Sequence, residues 1–286
     1  MPVKLYKAMT RSVSINNNLN NQDTTEQLIN IGIKSFEYLS SVKHKSLTSK
    51  VPNKEYFAFE KGSKISRAVN IELFCDDLQL IEKFSSVLIS NKYESMTPEE
   101  ITKACYTIAM SFCCVVDLEK VGDKKTPGTF FEYLIGNIFS RKIGINPRKQ
   151  VEVPSLSAKR TKLPTDFVFD LGDNKPKFHL PVKTSTRERV IQVWAHQRVL
   201  EGVFGLGSFT GILVCLAETK LGKKNLDVIE ICLPLQWKVY QLHIAKLKRI
   251  YYLDIPKTYE SLNKHFSEPI VRPFGYFFSE VKSFCR

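Results

Sequence analysis

The sequence predicts an α/β protein with a central mixed β-sheet that is flanked by helices and preceded by a helical N-terminal subdomain. Three observations support this fold class. Apolar residues recur at helical spacing through much of residues 1–120. Short apolar segments typical of strands dominate after residue 121. Two further helical segments lie between those strands, as expected of a sheet that is covered by helices.

The length of 286 residues allows one large domain or two small ones, and the change in periodicity divides the chain near residue 120. Residues 1–120 are therefore predicted to form a mostly helical subdomain, and residues 121–286 a second domain of mixed strands and helices. Residues 1–22 are polar and rich in asparagine, which predicts a mobile arm before the first helix.

In the N-terminal subdomain, apolar spacing predicts helices over residues 23–39, 71–89 and 101–116. The third helix follows a Thr-Pro-Glu-Glu sequence in which Thr97 is the expected N-cap residue. Residues 43–64 are rich in lysine, serine and proline and are predicted to be a connecting segment.

In the second domain, a Gly-Asp-Lys-Lys-Thr-Pro-Gly sequence ends the helical part, and Thr129 is expected to cap the next helix. Further helices are predicted at about 188–201 and 235–246. Strands are predicted at 149–153, 165–171, 177–184, 210–218, 227–233 and 249–255.

The chain is strongly basic. Lysine and arginine outnumber aspartate and glutamate by 42 to 29, which gives a net charge of +13 and a pI of about 9.3. The excess is concentrated between Arg141 and Arg189, where twelve basic residues stand against five acidic ones. A polyanionic partner would explain this concentration. An anionic membrane surface, or a basic composition without functional meaning, is the alternative.

The cysteines and the N-terminus predict the cellular location. Seven cysteines are present, an odd number with no CxxC pair, and most lie in apolar segments. They are expected to be buried free thiols in a reducing compartment. The first residues lack the apolar segment of a secretory signal, and no segment is expected to span a membrane. These features predict a cytoplasmic protein.

Two charged residues at strand ends suggest chemistry. Asp166 begins one predicted strand, and Lys183 ends the next one, 17 residues later. Two antiparallel strands joined by a turn would bring the carboxylate and the ammonium to one rim of the sheet. A carboxylate there can bind Mg²⁺, and the lysine can orient or deprotonate a water and offset phosphate charge. Metal-assisted hydrolysis of a phosphodiester is one interpretation, and a surface ion pair is the other.

The segments Pro164-Thr165-Asp166 and Pro181-Val182-Lys183 resemble the PD-(D/E)XK nuclease pattern. The continuation, Arg187-Glu188-Arg189 and then Gln192, resembles the active-site strand and helix of type II restriction endonucleases that cut CCGG, CCNGG or CCWGG sites. In that family a basic–acidic–basic triplet follows the catalytic lysine by four to six residues, and a glutamine lies on the helix after it. The resemblance extends over about residues 129–200.

The chemistry of the triplet fits DNA recognition. Arginine donates two hydrogen bonds to guanine O6 and N7, and glutamate accepts one from cytosine N4 in the major groove. Arg187, Glu188 and Arg189 would therefore read two consecutive G·C pairs, and Gln192 would lie beside them. The alternative is a capping box, formed by Ser185 and Glu188 at the start of the following helix, which requires no DNA.

The resemblance also implies a metal ligand on the helix before the first core strand. In the resembling family a glutamate on that helix helps to hold the metal, and Glu132 occupies a similar position. Thr129 and Glu132 also fit a capping box, so a purely structural role for Glu132 is the alternative.

Two positions depart from the family pattern. The acidic member of (D/E)XK is replaced by Pro181. The acid that the family can supply from the next helix, about thirteen residues after the lysine, is replaced by His196. Asp166, Glu132 and the backbone carbonyl of Val182 are therefore the expected metal ligands, and His196 is a further candidate.

The resemblance implies an Mg²⁺-dependent endonuclease that hydrolyses double-stranded DNA at a palindromic site containing CC/GG, with Asp166, Lys183 and Glu132 as catalytic residues. A palindrome implies a two-fold symmetric protein, either a homodimer or a tetramer of paired dimers. Residues 121–286 would then form the catalytic and DNA-recognition domain, and a cognate DNA methyltransferase would be the functional companion. The alternatives are a repair or recombination nuclease that reads DNA structure, and a non-catalytic DNA-binding protein.

Overall fold

The computed structural model describes residues 2–16, 18–154, 160–173, 175–222 and 225–284, and the side chains of residues 12–16 and of Glu188 lie outside this description. The first 120 residues contain helices and short strands. In chain order these are α1 (Pro2–Asn16), α2 (Gln22–Ser40), β1 (Lys43–Leu47), β2 (Tyr56–Lys61), β3 (Lys64–Ile65), β4 (Val69–Asn70), α3 (Gln79–Ser90) and α4 (Pro98–Glu119).

The remainder of the chain alternates between strands and helices. In order these are α5 (Lys125–Ile143), β5 (Arg148–Pro154), β6 (Arg160–Phe169), β7 (Lys177–Leu180), β8 (Val182–Lys183), α6 (Ile191–Phe204), β9 (Phe209–Cys215), β10 (Thr219–Leu221), β11 (Val228–Glu230), α7 (Pro234–His243), β12 (Leu247–Tyr252), α8 (Lys257–Glu260), β13 (Val271–Pro273) and α9 (Phe277–Phe284). A 3₁₀ turn over Arg187–Arg189 precedes α6.

A central mixed sheet organises this second part, as the sequence predicts. Its strand order is β13-β12-β9-β7-β6-β5, and β8 also pairs with β9. The β5–β6 and β6–β7 pairs are antiparallel, whereas β7, β8 and β12 run parallel to β9. The predicted strand at 227–233 is shorter and lies elsewhere, because β11 pairs with β10 in a separate two-stranded sheet.

Next to β8, strand β6 separates from the strand formed by β7 and β8. We call this separation, between Asp166 and Val182, the fork. The pairing of β6 with β7 ends at Phe167 and Leu180. Beyond that point β6 continues to Arg160 with β5 as its partner. In contrast, β7 and β8 keep one constant register along β9, from Lys177 with Phe209 to Lys183 with Cys215. The chain on either side of Pro181 therefore pairs with β9 without a bulge, and β6 diverges from it.

Each face of the sheet packs against its own set of helices. On one face, Phe167 and Val214 join a large core with Phe112 of α4 and Phe131 of α5. On the other face, a second core contains Trp194 of α6, Trp237 of α7, Leu213 and Tyr252. Both tryptophans are buried, as their helical positions predict.

Helix α4 is the central helix of the large core. Its start is as predicted, since Thr97 accepts from the Glu100 backbone and the Glu100 side chain accepts from the Thr97 backbone. By length and composition Pro98–Glu119 could span a membrane, contrary to the sequence expectation, but 89% of its apolar window is buried inside the protein. That burial is typical of a core helix.

The N-terminal part differs from the prediction in two ways. Residues 2–16 form α1 where a polar arm was expected, because Tyr6 and Met9 are buried and the Tyr6 ring packs 5.1 Å from that of Phe112. In addition, β1 to β4 form a four-stranded antiparallel sheet where a connecting segment was expected. Its central strand β2 buries Tyr56 and Ala58, whereas the lysine-rich edge strand β1 is exposed.

A buried ion cluster joins this small sheet to the central one. The Lys54 ammonium donates to Asp254 Oδ1 at 2.6 Å, to Glu230 Oε1 at 2.8 Å and to the carbonyl of Ile255 at 2.8 Å. The amide of Asn70 also donates to Asp254. Burial raises the pKa values of Asp254 and Glu230, and the nearby Lys54 ammonium opposes that rise. The Lys54 ammonium thus stabilises the ionised forms of two buried carboxylates.

Replacing Lys54 with methionine should lower the free energy of unfolding by about 3–5 kcal/mol, because it leaves two buried carboxylates without their cation. Lys50→Met is a matched control, since Lys50 joins the same segment to Asp227 but its side chain is 60% exposed. That change should cost at most about 1 kcal/mol. Urea unfolding of the two variants measures the difference, and equal losses would contradict a structural role for the cluster.

Candidate active site

The structure brings Asp166 and Lys183 together at the fork. Asp166 lies on β6 just beyond the last residue pair with β7, and Lys183 is the last residue of β8. Asp166 Oδ2 accepts from the Lys183 ammonium at 2.6 Å and from the Val182 backbone N–H at 2.8 Å. The Lys183 side chain is 34% exposed and that of Asp166 20%, so the pair is accessible to a solute.

The backbone of Val182 also faces this pair. The carbonyls of Pro181 and Lys183 accept hydrogen bonds from Val214 and Leu216 of the neighbouring segment. Because successive carbonyls of a strand point to opposite sides, the carbonyl of Val182 points toward the fork. Its N–H group points the same way and binds Asp166. The fork thus holds a carboxylate and a backbone carbonyl side by side.

Glu132 approaches the pair from α5. That helix begins at Lys125, so Thr129 lies inside it and donates to the Lys125 carbonyl instead of capping the helix. The predicted Thr129 cap is therefore wrong. The pKa of Glu132 is raised, first by burial and then by the negative charge of Asp166, and Lys183 partly opposes the rise. The Glu132 carboxyl is therefore close enough to interact electrostatically with the Asp166–Lys183 pair.

His196 lies on α6, which covers the face of the sheet opposite to α5, and it is close to His179. Its ring centroid is 6.5 Å from that of His179, which is buried and bonded to Gln197 Oε1 at 2.9 Å. Burial lowers the pKa of His179 to about 4, so this imidazole is neutral near pH 7. Among the described residues, no three His, Cys, Asp or Glu side chains form a group that could hold a metal. His196 therefore does not complete a ligand triad with the two carboxylates.

The predicted recognition residues follow the ion pair directly. Arg187–Arg189 form a single 3₁₀ turn, and α6 begins only at Ile191 with Val190 at its N-cap and no capping side chain. Ser185 is thus too far from the helix start to cap it, and the capping-box alternative is wrong. Arg189 is exposed. The side chain of Glu188 lies outside the described residues.

The remaining two recognition candidates differ in their surroundings. Gln192 is exposed on the first turn of α6. Arg187 is half-buried, and its Nη2 donates to the Thr219 carbonyl at 3.3 Å. Its Nε is buried without a hydrogen-bond partner, so the guanidinium retains unused donors. The backbone of Arg187 has a φ of 40°, which is unusual for a residue other than glycine.

Sequence reasoning missed one residue near this turn. Glu218 follows β9 and is fully buried, with its carboxylate accepting hydrogen bonds from Thr186 and Arg187. Burial raises its pKa, and the hydrogen bonds from Thr186 oppose the rise. A carboxylate that ends an otherwise apolar strand was the signal available in the sequence.

The donor set fits one hard divalent cation. Both hydrogen bonds to Asp166 reach Oδ2, which leaves Oδ1 for coordination. Glu132 and the Val182 carbonyl supply further oxygen atoms, and oxygen is the ligand that Mg²⁺ prefers. The negative charge of Asp166 helps to raise the pKa of Glu132, and Lys183 and Lys149 oppose the rise. A cation bound between the two carboxylates would replace this repulsion with attraction.

Two solved structures are similar to this chain, and one of them matches its whole length. The type IIP restriction endonuclease Kpn2I matches 100% of this chain with a TM-score of 0.81 and 26% sequence identity, and 98% of that chain is covered. This chain resembles the type II restriction endonucleases. The complex of restriction endonuclease PspGI with substrate DNA matches 72% of this chain and 92% of its own, with a TM-score of 0.45 and 16% identity. No protein-family model and no curated protein matches the sequence.

The likeness to a type II restriction endonuclease extends further than the sequence pattern does. Residue motifs indicate it only for about residues 129–200, whereas the match to Kpn2I includes the N-terminal helices and the small β1–β4 sheet. The N-terminal part is therefore an integral part of this fold.

If Glu132 is a Mg²⁺ ligand, binding should weaken as the pH falls toward the raised pKa of this carboxyl, because a protonated carboxyl cannot coordinate the cation. Glu132→Gln should lower the affinity and remove this pH dependence. Titration calorimetry at pH 5.5 and pH 7.5 measures both effects, with Glu260→Gln as a control at an exposed glutamate. If wild type and Glu132→Gln bound Mg²⁺ equally at both pH values, Glu132 would not be a ligand.

Proposed function

We propose that this chain is a type II restriction endonuclease that hydrolyses double-stranded DNA, with Mg²⁺, at a palindromic site containing CC/GG. One observation carries the proposal: the Asp166–Lys183 pair lies at the fork, four residues before the Arg187–Arg189 turn. A hydrolytic centre and a set of base-reading side chains are thus adjacent on one segment. The full-length match to Kpn2I supports a site-specific deoxyribonuclease.

The topology supports a PD-(D/E)XK-type core. The aspartate lies on a strand that is antiparallel to its neighbour β7, and the lysine ends the next strand, which pairs in parallel with β9. Helix α5 supplies Glu132 from the face of the sheet that holds the large core. The domain division at about residue 120 remains part of the proposal.

In the proposed mechanism, Asp166, Glu132 and the Val182 carbonyl hold the Mg²⁺. The cation, when bound, stabilises charge on the phosphate and makes a water more acidic. The Lys183 ammonium, fixed by Asp166 at 2.6 Å, is placed to donate to a phosphate oxygen or to orient the attacking water. The partial exposure of the pair gives the DNA backbone access to it.

In the proposed recognition, the side chains of Arg187, Glu188, Arg189 and Gln192 contact base edges. We call residues 184–189 the recognition turn. Arg189 and Gln192 are exposed, and Arg187 is half-buried with its Nη2 bonded to the Thr219 carbonyl. Two arginines with a glutamate between them are the residue types that read G·C pairs in the major groove.

An apolar surface supports the proposed two-fold symmetry. Exposed large apolar side chains are concentrated on α6, on the turn after it and on α7, namely Ile191, Val199, Val203, Phe204, Leu206, Leu235, Val239 and Leu242. Such a patch favours contact with another protein surface. A second copy bound there would carry a second recognition turn, as a palindrome requires. A tetramer of two dimers, a companion methyltransferase and a cytoplasmic location belong to the same proposal.

A non-catalytic DNA-binding protein is the second candidate, and one observation favours it. Pro181 and His196 stand where the family pattern has carboxylates, and no third acidic group joins Asp166 and Glu132 among the described residues.

Incubation with phage DNA and Mg²⁺ separates the candidate functions. Discrete fragments indicate a restriction endonuclease, nicking at DNA junctions a repair nuclease, and gel retardation without cutting a binding protein.

Lys183→Ala should abolish cleavage while specific binding in Ca²⁺ is retained, because the role proposed for this ammonium is chemical. Asp166→Ala should abolish cleavage and also weaken Mg²⁺ binding. His196→Ala is the control and should lose less than about tenfold in rate, or roughly 1.4 kcal/mol in activation free energy. Single-turnover cleavage measures all three. Wild-type rates for Lys183→Ala would show that the assigned site is wrong.

Glu188→Ala should damage specific binding yet strengthen non-specific binding. A carboxylate repels phosphate and favours DNA only through a base donor such as cytosine N4, so its loss should cost about 1–3 kcal/mol of discrimination at one G·C pair. Selection of preferred sites from a random duplex pool, with wild type alongside, measures this. A phosphate contact would instead weaken all sequences equally and change the salt dependence. Equal stringency for both proteins would refute base reading by Glu188.

A further inference from the structure

Glu218 contacts the recognition turn directly. Its side chain is fully buried, shortly after the end of β9. The carboxylate accepts hydrogen bonds from the Thr186 backbone N–H at 2.9 Å, from the Thr186 hydroxyl at 2.5 Å and from the Arg187 backbone N–H at 3.3 Å. One side chain thus binds three donors on two successive residues of the turn.

The same carboxylate also accepts a hydrogen bond from a residue of the central sheet. The hydroxyl of Tyr252, on β12, donates to Glu218 Oε1 at 2.8 Å, and Tyr252 is itself fully buried. Within the described residues, no lysine or arginine lies within ion-pair distance of Glu218. A buried carboxylate without a cation is costly unless hydrogen bonds replace its hydration. Among the described residues, the hydrogen bonds that supply this replacement come from the turn and from Tyr252.

The turn holds a strained backbone at the residue that Glu218 binds. Arg187 has a φ of 40°, in the left-handed region that side chains other than glycine seldom adopt. Such conformations persist where the surroundings over-determine them, and they concentrate at functional sites. Here the Arg187 N–H is bound by Glu218, and its guanidinium is bound by the carbonyl of Thr219, the next residue along the chain. Residues 218–219 therefore fix both the backbone and the side chain of Arg187.

We propose that Glu218 is a positioning residue for sequence recognition, which holds the recognition turn in the conformation that presents Arg187 and Arg189 to base edges. The inference rests on the proposed function, because it assumes that the turn reads DNA. Glu218 acts through the turn and does not touch the DNA or the reacting atoms. The Asp166–Lys183 pair is held independently by β6 and β8, so the chemical step should be spared.

Glu218→Gln separates this role from simple packing. The variant keeps the shape of the side chain, but its amide places N–H groups where the turn offers donors. We expect it to lose about tenfold to a hundredfold of the discrimination between the preferred site and a site with one altered G·C pair. The KM for the preferred site should rise, while kcat should stay within about threefold of wild type, since binding and not chemistry is affected.

Thr186 supplies a matched pair of variants. Thr186→Val removes the hydroxyl donor and keeps the volume, whereas Thr186→Ser keeps the donor. Loss of discrimination in Thr186→Val with near-wild-type discrimination in Thr186→Ser would tie the effect to the hydrogen bond. If Glu218→Gln does not fold, the two Thr186 variants still test whether the hydrogen bonds to Glu218 affect discrimination.

The experiment is site selection from a random-sequence duplex pool in Ca²⁺, followed by cleavage of the selected duplex and its single-base variants in Mg²⁺. All measurements are made well below the lowest melting temperature of the variants. A wild-type protein that selects no site overturns the proposed function itself. A selective wild type, with Glu218→Gln or Thr186→Val equally selective, overturns the role of Glu218 and leaves the proposed function intact. A selective wild type with relaxed variants supports both.

Discussion

The candidate site depends on the divergence of β6 from the strand formed by β7 and β8. Had β6 continued to pair beyond Leu180, a backbone carbonyl would accept from the Val182 N–H, and the sheet would be closed. Instead, the carboxylate of Asp166 takes that hydrogen bond and also binds Lys183. The opening therefore leaves a sheet position at which a carboxylate, an ammonium and a backbone carbonyl come together.

The short segment that leaves this fork is fixed from two directions. Asp166 binds its beginning at Val182 and Lys183, and Glu218 binds its end at Thr186 and Arg187. Both carboxylates accept backbone N–H groups, so they constrain the path of the chain as well as its side chains. In the proposed enzyme, this arrangement links the reading of bases to the position of the cleaved phosphate over only a few residues. Base contacts and the hydrolytic centre would then move as one unit.

Local patterns predicted much of this structure and missed what depends on distant contacts. The central strands, the Thr97 cap and the approach of Asp166 to Lys183 follow from apolar alternation, capping chemistry and hairpin geometry. The β1–β4 sheet was missed because its edge strand is exposed and rich in lysine, and α1 because its few apolar residues precede a polar stretch. Glu218 was missed for another reason. Its partners Thr186 and Tyr252 are more than thirty residues away on either side, so no local spacing reveals them.

The charges of the proposed site explain how it can work without the acid that the family pattern places at position 181. Glu132 and Asp166 supply two negative charges, and Lys183 and Lys149 oppose them at Glu132. A divalent cation would add two positive charges beside the phosphodiester. Without that cation, the two carboxylates would repel the DNA backbone. A third carboxylate in place of Pro181 would restore that repulsion unless a second cation were bound. The uncharged Pro181 is thus consistent with a site that takes one divalent cation, held by Asp166 of β6 and Glu132 of α5.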